Sequence, residues 1–329
     1  MRRSRALAAA LRGPAVSRRI AATDEPIVAT LRDLREAAAV PPLSLAQGIV
    51  SWAPPASAVA AATAAAGAPA THAYGPGDGT GELVEALRRK LKAENGIGDD
   101  VFVQVTTGAN QAYTNLVVAL LDHDAASVLF APYYFNHAMA VQMTGGGAHL
   151  SVGPSDPRTL LPDLDWLEAR LAEGGVKMVT VVNPGNPTGV MLPRAALERA
   201  AALCARHGAF LVVDNTYEHF GGDAAVYGAD APAHSCVYGD NVVNVFSFSK
   251  AYGTCRGAAP LSRLCTHTHT PPYIPTAGSA HLHHRDTWHR TRRTIRISNP
   301  HFSEEPRKLS TRRTIVRGSH LSLSPFLQL

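Results

Sequence analysis

The chain has 329 residues, an apolar fraction of 46% and a formal net charge of +5 at pH 7. This length suffices for one large α/β domain, alone or with a smaller one, and no stretch approaches the roughly 18 uninterrupted apolar residues of a membrane span. The excess positive charge lies at the two ends, and the four cysteines form no Cys-x-x-Cys pair, which argues against a disulfide framework or a zinc site and fits a reducing compartment such as the cytoplasm.

The first 22 residues form an N-terminal extension with a targeting-like composition. Six arginines precede the first acidic residue, Asp24, and the segment is also rich in alanine. Such a start resembles a transit peptide, so a chloroplast or a mitochondrion is an alternative to the cytoplasm. The other interpretation is a short disordered extension. A secretory signal is excluded because Arg12 and Pro14 interrupt any apolar core.

The domain that begins at residue 23 opens with helices and loops. Residues 26–47 are predicted to form a helix and then an extended segment, followed by a turn-rich loop at 48–55. The alanine-rich tract 56–70 favours a helix because alanine is the best helix former. After a glycine-rich loop, leucines at 83, 87 and 91 mark one face of a helix that is expected to stop at Gly96.

From residue 101 onwards, apolar runs alternate with helical patterns. The predicted strands are Val101–Val105, Val128–Phe130, Met178–Val182, Phe210–Val213 and Val242–Phe246. Alternating strands and helices are typical of a mostly parallel sheet that is covered by helices on both faces. The expected fold is therefore α/β, with three αβα layers.

Ligands of open α/β sheets bind at the carboxyl ends of the strands, so the residues after each strand are candidates for a site. After the first strand, the segment 106–112 contains Gly108, Ala109 and Asn110 and opens a helix. Small residues at a helix start suit a phosphate, although a plain turn has the same pattern. After the second strand, Tyr134 lies in an aromatic group that could stack on a planar ring or belong to the core.

Two further strand ends carry polar groups. The loop NPGNPTG after the third strand is stiffened by two prolines, and Asn186 could donate a hydrogen bond to a phenolic oxygen. The fourth strand ends at Asp214, an acid that is costly to bury unless a cation lies beside it. A protonated pyridine nitrogen is such a cation, and protonation makes the ring an electron sink. Tyr217, three residues later, can reach the same ring oxygen as Asn186.

The fifth strand ends in Ser247-Phe248-Ser249-Lys250. A lysine just beyond a buried strand suits an imine with a carbonyl cofactor, because burial lowers the pKa of an ammonium group and the neutral amine is the nucleophile. The flanking serines can donate hydrogen bonds to a phosphate. A solvated lysine at a strand end is the simpler interpretation of this segment by itself.

The motifs NPGNPTG, D-x-x-Y and SFSKAYG, in this order, resemble those of the class I/II aminotransferases, which have fold type I among the pyridoxal 5′-phosphate enzymes. The resemblance extends from about residue 20 to residue 253. The segments VDNTYEHF and GDNVVNVFSFSKAYG are most similar to the plant and algal aromatic aminotransferases, whose donors are tryptophan, other aromatic amino acids or methionine.

This resemblance implies a role for each matching residue. Lys250 would hold the cofactor and move the substrate proton, and Asp214 would pair with the pyridine nitrogen. Asn186 and Tyr217 would bind the ring oxygen, and Gly48 would contact the substrate through its backbone. The remaining cofactor contacts implied are Gly108, Ala109, Asn110, Tyr134 and Ser247. Tyr74 resembles the tyrosine that reaches the cofactor phosphate of the other subunit, which implies a homodimer. The resemblance implies no metal, membrane or nucleic-acid partner.

The resemblance stops after Gly253. In the family an arginine eight residues past the lysine binds the phosphate, and this position is Ala258 here. The small C-terminal domain of the family, with its carboxylate-binding arginine, is not recognisable, so the domain spanning 23–257 is expected to be incomplete and the lysine-bearing strand to have one unpaired edge. Residues 258–329 are rich in His, Arg and Pro, contain TRRTI twice and are expected to be irregular.

A frameshift or mis-splicing explains such a tail best. A basic nucleic-acid arm or a metal-binding histidine tract at residues 281–284 is the less favoured alternative. For the whole chain, the sequence predicts amino transfer from an aromatic amino acid or methionine to a 2-oxo acid. A truncated, catalytically inactive homologue and another chemistry of the same cofactor, such as a C–S lyase, remain alternatives.

Overall fold

The computed structural model of the protein describes residues 16–43, 45–46, 48–221, 233–254 and 326–328. All of them belong to one of the two compact units into which the chain divides, the unit formed by residues 1–267 and 323–329. The predictions for residues 1–15 and 258–325, including Ala258 and both TRRTI copies, lie outside the described residues. No helix within the described ranges is long and apolar enough to cross a membrane.

The described part of the chain contains eight α-helices. They are α1 Arg18–Ala22, α2 Ile27–Ala37, α3 Ala56–Ala66, α4 Gly81–Asn95, α5 Ala109–Leu120, α6 Phe135–Thr144, α7 Leu164–Ala172 and α8 Arg194–Arg206. The predicted end of α4 is confirmed: Gly96 has a φ of 65°, and the N–H of Ile97 donates to the carbonyl of Leu91. Left-handed glycine caps of this kind satisfy carbonyl groups at a helix C-terminus.

Seven strands form one sheet. They are β1 Phe102–Gln104, β2 Ala126–Phe130, β3 Leu150–Gly153, β4 Val176–Val182, β5 Phe210–Asp214, β6 Val242–Val245 and β7 Phe326–Gln328. Their order across the sheet is β1-β7-β6-β5-β4-β2-β3, and every described pair of neighbours is parallel. The predicted α/β class and parallel sheet are therefore confirmed.

Two strands differ from the sequence-based expectation. β3 was not predicted, because its four residues LSVG lack a long apolar run. The expectation of an unpaired edge on the lysine-bearing strand is wrong: β7 lies between β1 and β6 and pairs with both. Three residues suffice there, because the contact uses backbone groups and requires no alternating apolar pattern.

The two faces of the sheet are covered by different helices. Leu211 and Val213 of β5 point into a cluster with α7 and α8, whereas Val212, between them, points into a cluster with α5 and α6. This alternation is the two-residue period of a strand, and it produces the expected three αβα layers. A third cluster packs α4 against Val103 and Phe246.

The parallel arrangement brings the ends of separate strands together. β4, β5 and β6 are neighbours, and Val182, Asp214 and Val245 occupy matching positions at their carboxyl ends. The segments that follow these strands contain Asn186, Tyr217 and Lys250. The fold therefore places three separately predicted motifs along one edge of the sheet.

Candidate active site

A cavity of about 330 Å³ lies at this edge of the sheet. Its size falls in the lower part of the range of small-molecule pockets, about 300–1,000 Å³. The residues that line it are Thr107, Gly108, Ala109, Asn110, Tyr134, Asn186, Asp214, Thr216, Tyr217, Ser247, Ser249 and Lys250. Nine of these twelve were predicted site residues, and Ser249 was noted with Ser247 as a possible phosphate donor. Thr107 and Thr216, each next to a predicted residue, were not singled out as contacts.

Lys250 enters the cavity from the turn after β6. Its Nζ donates a hydrogen bond to the carbonyl oxygen of Gly48 at 2.8 Å and lies 5.8 Å from the centre of the Tyr217 ring. The side chain is half-buried, which is less than the sequence argument assumed. The amine is thus oriented by a backbone acceptor and remains accessible to a ligand in the cavity.

Asp214 presents a buried carboxylate to the same cavity. The residue is 5% exposed, Oδ1 accepts from the N–H of Thr216 at 3.0 Å, and Oδ2 lies 3.1 Å from Nε2 of His137. Burial opposes ionisation, but the hydrogen bonds from His137 and Thr216 outweigh it and lower the pKa of Asp214. The carboxylate is therefore anionic at neutral pH, as its predicted role requires.

His137 was missed by the sequence analysis. It lies on α6, three residues after Tyr134, and is 2% exposed; its ring stacks on Tyr113, with centroids 4.0 Å apart. Within the described residues, Nδ1 is buried without a hydrogen-bond partner. One indication of its place was available in the sequence: His137 comes three residues, almost one helical turn, after Tyr134. The two rings are in contact, with centroids 5.3 Å apart. The buried Asp214 carboxylate therefore has a hydrogen-bonding partner within the chain that the sequence argument did not identify.

The loop NPGNPTG directs its two asparagines differently. Asn183 is fully buried, and its side chain binds the N–H of Leu192 and the carbonyl of Ser235, so its role is structural. Asn186 lines the cavity, as predicted. Position 185 requires glycine in this loop, because a Cβ there would clash with Oγ1 of Thr188. The buried Asn183 thus holds the loop in place, and Asn186 supplies the amide that lines the cavity.

The start of α5 forms another wall of the cavity. Gly108 is the N-cap residue, Ala109 and Asn110 follow it, and all three line the cavity together with Ser247 and Ser249. Backbone N–H groups at a helix start and two nearby hydroxyls suit an anion such as a phosphate. Tyr134 lies beside them, its hydroxyl accepting from Asn136 Nδ2 at 2.8 Å; burial raises the pKa of Tyr134.

The segment 48–54 packs over the lysine turn. Beyond the Gly48 contact, Nε1 of Trp52 donates to the carbonyl of Ala251 at 3.0 Å. A Cβ on Gly48 would lie 3.4 Å from the Tyr217 hydroxyl and 3.8 Å from Lys250 Nζ. Gly48 therefore belongs to the site. Tyr74 is fully exposed and lies apart from the residues that line this cavity.

Gly253 fixes the contact between the lysine turn and this segment. It has a φ of +66°, and a Cβ would approach backbone atoms of residues 52–54 at 3.0–3.1 Å. We expect Gly253→Ala to lower the free energy of unfolding by about 2–4 kcal/mol, combining backbone strain with overpacking. Gly208→Ala is the matched control, because Gly208 also has a φ of +66° but open space around it. Urea unfolding of both variants measures the two changes in the free energy of unfolding. Equal losses of stability would show that the close contact of Gly253 with residues 52–54 contributes nothing beyond backbone strain.

The arrangement supports covalent binding with proton transfer. An oriented amine, a buried carboxylate and an anion-binding helix start surround one cavity. Asn186 and Tyr217 add hydrogen-bonding groups to its wall. These are the groups needed to hold a planar, phosphorylated carbonyl compound with a ring nitrogen and to move a proton next to it.

Comparison with known proteins agrees with this geometry. Residues 40–265 match the family described as "Aminotransferase class I and II". The chain is 48% identical over 240 residues to "Aromatic aminotransferase ISS1" of Arabidopsis thaliana, covering 72% of this chain and 58% of that protein. It is 33% identical over 165 residues to the "Aspartate/prephenate aminotransferase" of Thermus thermophilus, covering 49% of this chain and 42% of the relative.

Solved structures lead to the same family. The aspartate aminotransferase of Thermus thermophilus with maleate superimposes with a TM-score of 0.63 at 28% identity, over 74% of this chain and 63% of that one. Substrate-bound BacF of Bacillus subtilis, with a TM-score of 0.64 at 24% identity, shares the fold over 74% of this chain and 62% of its own. The chain thus spans about three fifths of the length of these proteins. It belongs to the class I and II aminotransferase family.

Proposed function

We propose that this protein is a pyridoxal 5′-phosphate-dependent aminotransferase that moves an amino group from an aromatic amino acid or methionine to a 2-oxo acid. The observation that carries the proposal is the cavity shared by Lys250 Nζ and the Asp214 carboxylate. This pair supports a cofactor that has a carbonyl group for the amine and a ring nitrogen for the carboxylate.

The residues present fit that cofactor. Lys250 would hold it covalently, and the anionic Asp214 would keep its ring nitrogen protonated. The start of α5 and the serines at 247 and 249 would bind its phosphate, and Asn186 and Tyr217 would donate to its ring oxygen. When bound, the cofactor supplies an electron sink for the bonds of the substrate α-carbon.

The chain's own groups then perform the remaining tasks. With the cofactor bound, the amine of Lys250 would be placed to take up and return the proton of the substrate α-carbon. The carbonyl of Gly48 keeps Nζ in the cavity through its 2.8 Å hydrogen bond. His137 and Thr216 fix the Asp214 carboxylate from two directions, so the charge is oriented before any ligand arrives.

Two observations favour an aromatic donor. The relative with 48% identity is named an aromatic aminotransferase, whereas the aspartate/prephenate aminotransferase of Thermus thermophilus is 33% identical. In addition, Tyr217 lines the cavity and belongs to an aromatic group: the ring centroid of Phe220 lies 5.6 Å from that of Tyr217 and 6.0 Å from that of Trp52. Such rings suit a flat apolar side chain.

The proposal includes a homodimer and a cytoplasmic location. An exposed Tyr74 is free to reach a second subunit, as the family resemblance implies. Cys204 and Cys236 are buried free thiols, which supports a reducing compartment.

An amino-donor screen tests the function. The full chain with pyridoxal 5′-phosphate is incubated with tryptophan, phenylalanine, tyrosine, methionine or aspartate and with 2-oxo acids, and the new amino acid is quantified. We expect kcat/KM for the preferred aromatic donor or methionine to exceed that for aspartate at least about 10-fold, because pocket contacts discriminate side chains on this scale.

Other outcomes of the screen separate the alternatives. A preference for aspartate would contradict the donor class. Ammonia and thiol release from sulfur amino acids, without a new amino acid, would indicate a C–S lyase. Cofactor bound at Lys250 without turnover of any donor would favour the inactive homologue. Reactions without a 2-oxo acid serve as the control for donor breakdown.

A further inference from the structure

The residues at the end of β5 and just after it form two groups: some line the cavity, and others bind the rest of the domain. Asp214, Thr216 and Tyr217 line the cavity, whereas Asn215 and Glu218 do not. Asn215 is fully buried, and its side chain binds the carbonyl of Val213 and Oδ1 of Asn244. The residues between and beside the cavity groups thus anchor this short segment to the rest of the domain.

Glu218 is anchored by helix α4. Lys90 Nζ lies 2.5 Å from Oε1 of Glu218, and Asn95 Nδ2 donates to Oε2 at 2.8 Å. The side chains of Lys90 and Glu218 are only 17% and 10% exposed. Both carboxylate oxygens are therefore occupied in a largely desolvated environment. Lys90 keeps a second, more exposed carboxylate, Glu94 at 3.8 Å, so removal of the Glu218 charge changes the pair without isolating the lysine.

Lys90 also contacts the other side of the cavity. Its Nζ lies over the ring of Phe246, 4.7 Å from the ring centre. Phe246 is 1% exposed and directly precedes Ser247, which lines the cavity. One lysine of α4 thus touches both the segment that contains Tyr217 and the strand end that leads to Lys250.

We propose that the Lys90–Glu218 pair is a positioning device that holds the Tyr217 hydroxyl beside Gly48 and Lys250. Glu218 is the next residue after Tyr217, so a fixed Glu218 carboxylate restricts the backbone on which the tyrosine is mounted. The pair acts through Tyr217 and touches no ligand. This inference rests on the proposed function, because it assigns to Tyr217 the task of orienting the bound cofactor.

A double-mutant cycle in the full chain tests this coupling. Glu218→Gln is made in the natural sequence and in Tyr217→Phe, and the dissociation constant of pyridoxal 5′-phosphate is measured with the visible circular dichroism of the bound cofactor. We expect Glu218→Gln to weaken binding about tenfold and to reduce the dichroism. In the Tyr217→Phe background the same change should have little further effect on either quantity.

Controls separate positioning from stability. Lys92 lies on the same helix as Lys90 and forms an ion pair with Asp99, but its side chain is 63% exposed, so Lys92→Met should leave cofactor binding unchanged. Lys90→Met should reproduce Glu218→Gln; if it does not fold, the conservative Glu218→Gln variant still gives the result. Equal effects in both Tyr217 backgrounds, or a lower unfolding temperature with unchanged binding and dichroism, would overturn the inference. If the unmodified chain binds no cofactor, the proposed function fails and this inference fails with it.

Discussion

Replacing Asp214 by asparagine is expected to lower the rate of amino transfer about 10²–10³-fold while the cofactor remains bound. Asparagine keeps the shape of the side chain and can still accept from the N–H of Thr216, but it removes the negative charge. That charge is stable in the folded protein because hydrogen bonds from His137 and Thr216 lower the pKa of Asp214 despite its burial. The effect should therefore appear mainly in kcat.

The measurement compares single-turnover rates at saturating cofactor with cofactor occupancy determined by absorbance. Asp163→Asn is the matched control: Asp163 also accepts backbone N–H groups, from residues 165 and 166, but it caps α7 and does not line the cavity. An unchanged rate in Asp214→Asn would show that the carboxylate is structural. Complete loss of cofactor binding would show that it acts on affinity instead.

Replacing Lys250 by alanine is expected to abolish the covalent attachment and to lower amino transfer at least about 10³-fold. The physical reason is that, in the proposed function, one amine would both hold the cofactor and move the proton of the substrate α-carbon. Within the described residues, Lys250 is the lysine that lines the cavity. The cofactor phosphate should still be bound non-covalently, because the start of α5 and the serines are unchanged.

Borohydride reduction followed by peptide mapping measures the attachment. The label should fall on Lys250 in the unmodified chain and be absent from Lys250→Ala. Lys177→Ala is the control, because Lys177 lies on β4 and is exposed, so labelling at Lys250 should persist. A label on Lys177, or full activity in Lys250→Ala, would refute the assignment.

The strand-end residues were predictable because of one physical rule. In a parallel sheet the carboxyl ends of neighbouring strands share an edge, so polar residues after three apolar runs must come close together. The strands β4, β5 and β6 are adjacent. β5 ends at Asp214, and the segments after β4 and β6 contain Asn186 and Lys250. No knowledge of distances was needed to predict their proximity.

The contacts that were missed depend on tertiary packing. The pairing of His137 with Asp214 joins residues 77 positions apart, and nothing in the segment FNHAMA indicates its partner. The Lys90–Glu218 pair joins residues 128 apart in the same way. β7 was missed because its three residues stand in a stretch without strand periodicity. The contact of Tyr74 with a second subunit, implied by the family resemblance, stays a prediction.

The hydrogen bond between Gly48 and Lys250 has a consequence for how the protein is made. These residues are 202 positions apart, and the segments around them meet only when almost the whole α/β domain has been synthesised. Contacts this distant in sequence form late, because the loop must be closed before they contribute. A nascent chain that has not reached Lys250 has neither the reactive amine nor the contact that covers it. Cofactor capture would therefore follow the synthesis of β1–β6. By binding only the folded state, the cofactor would shift the folding equilibrium towards that state.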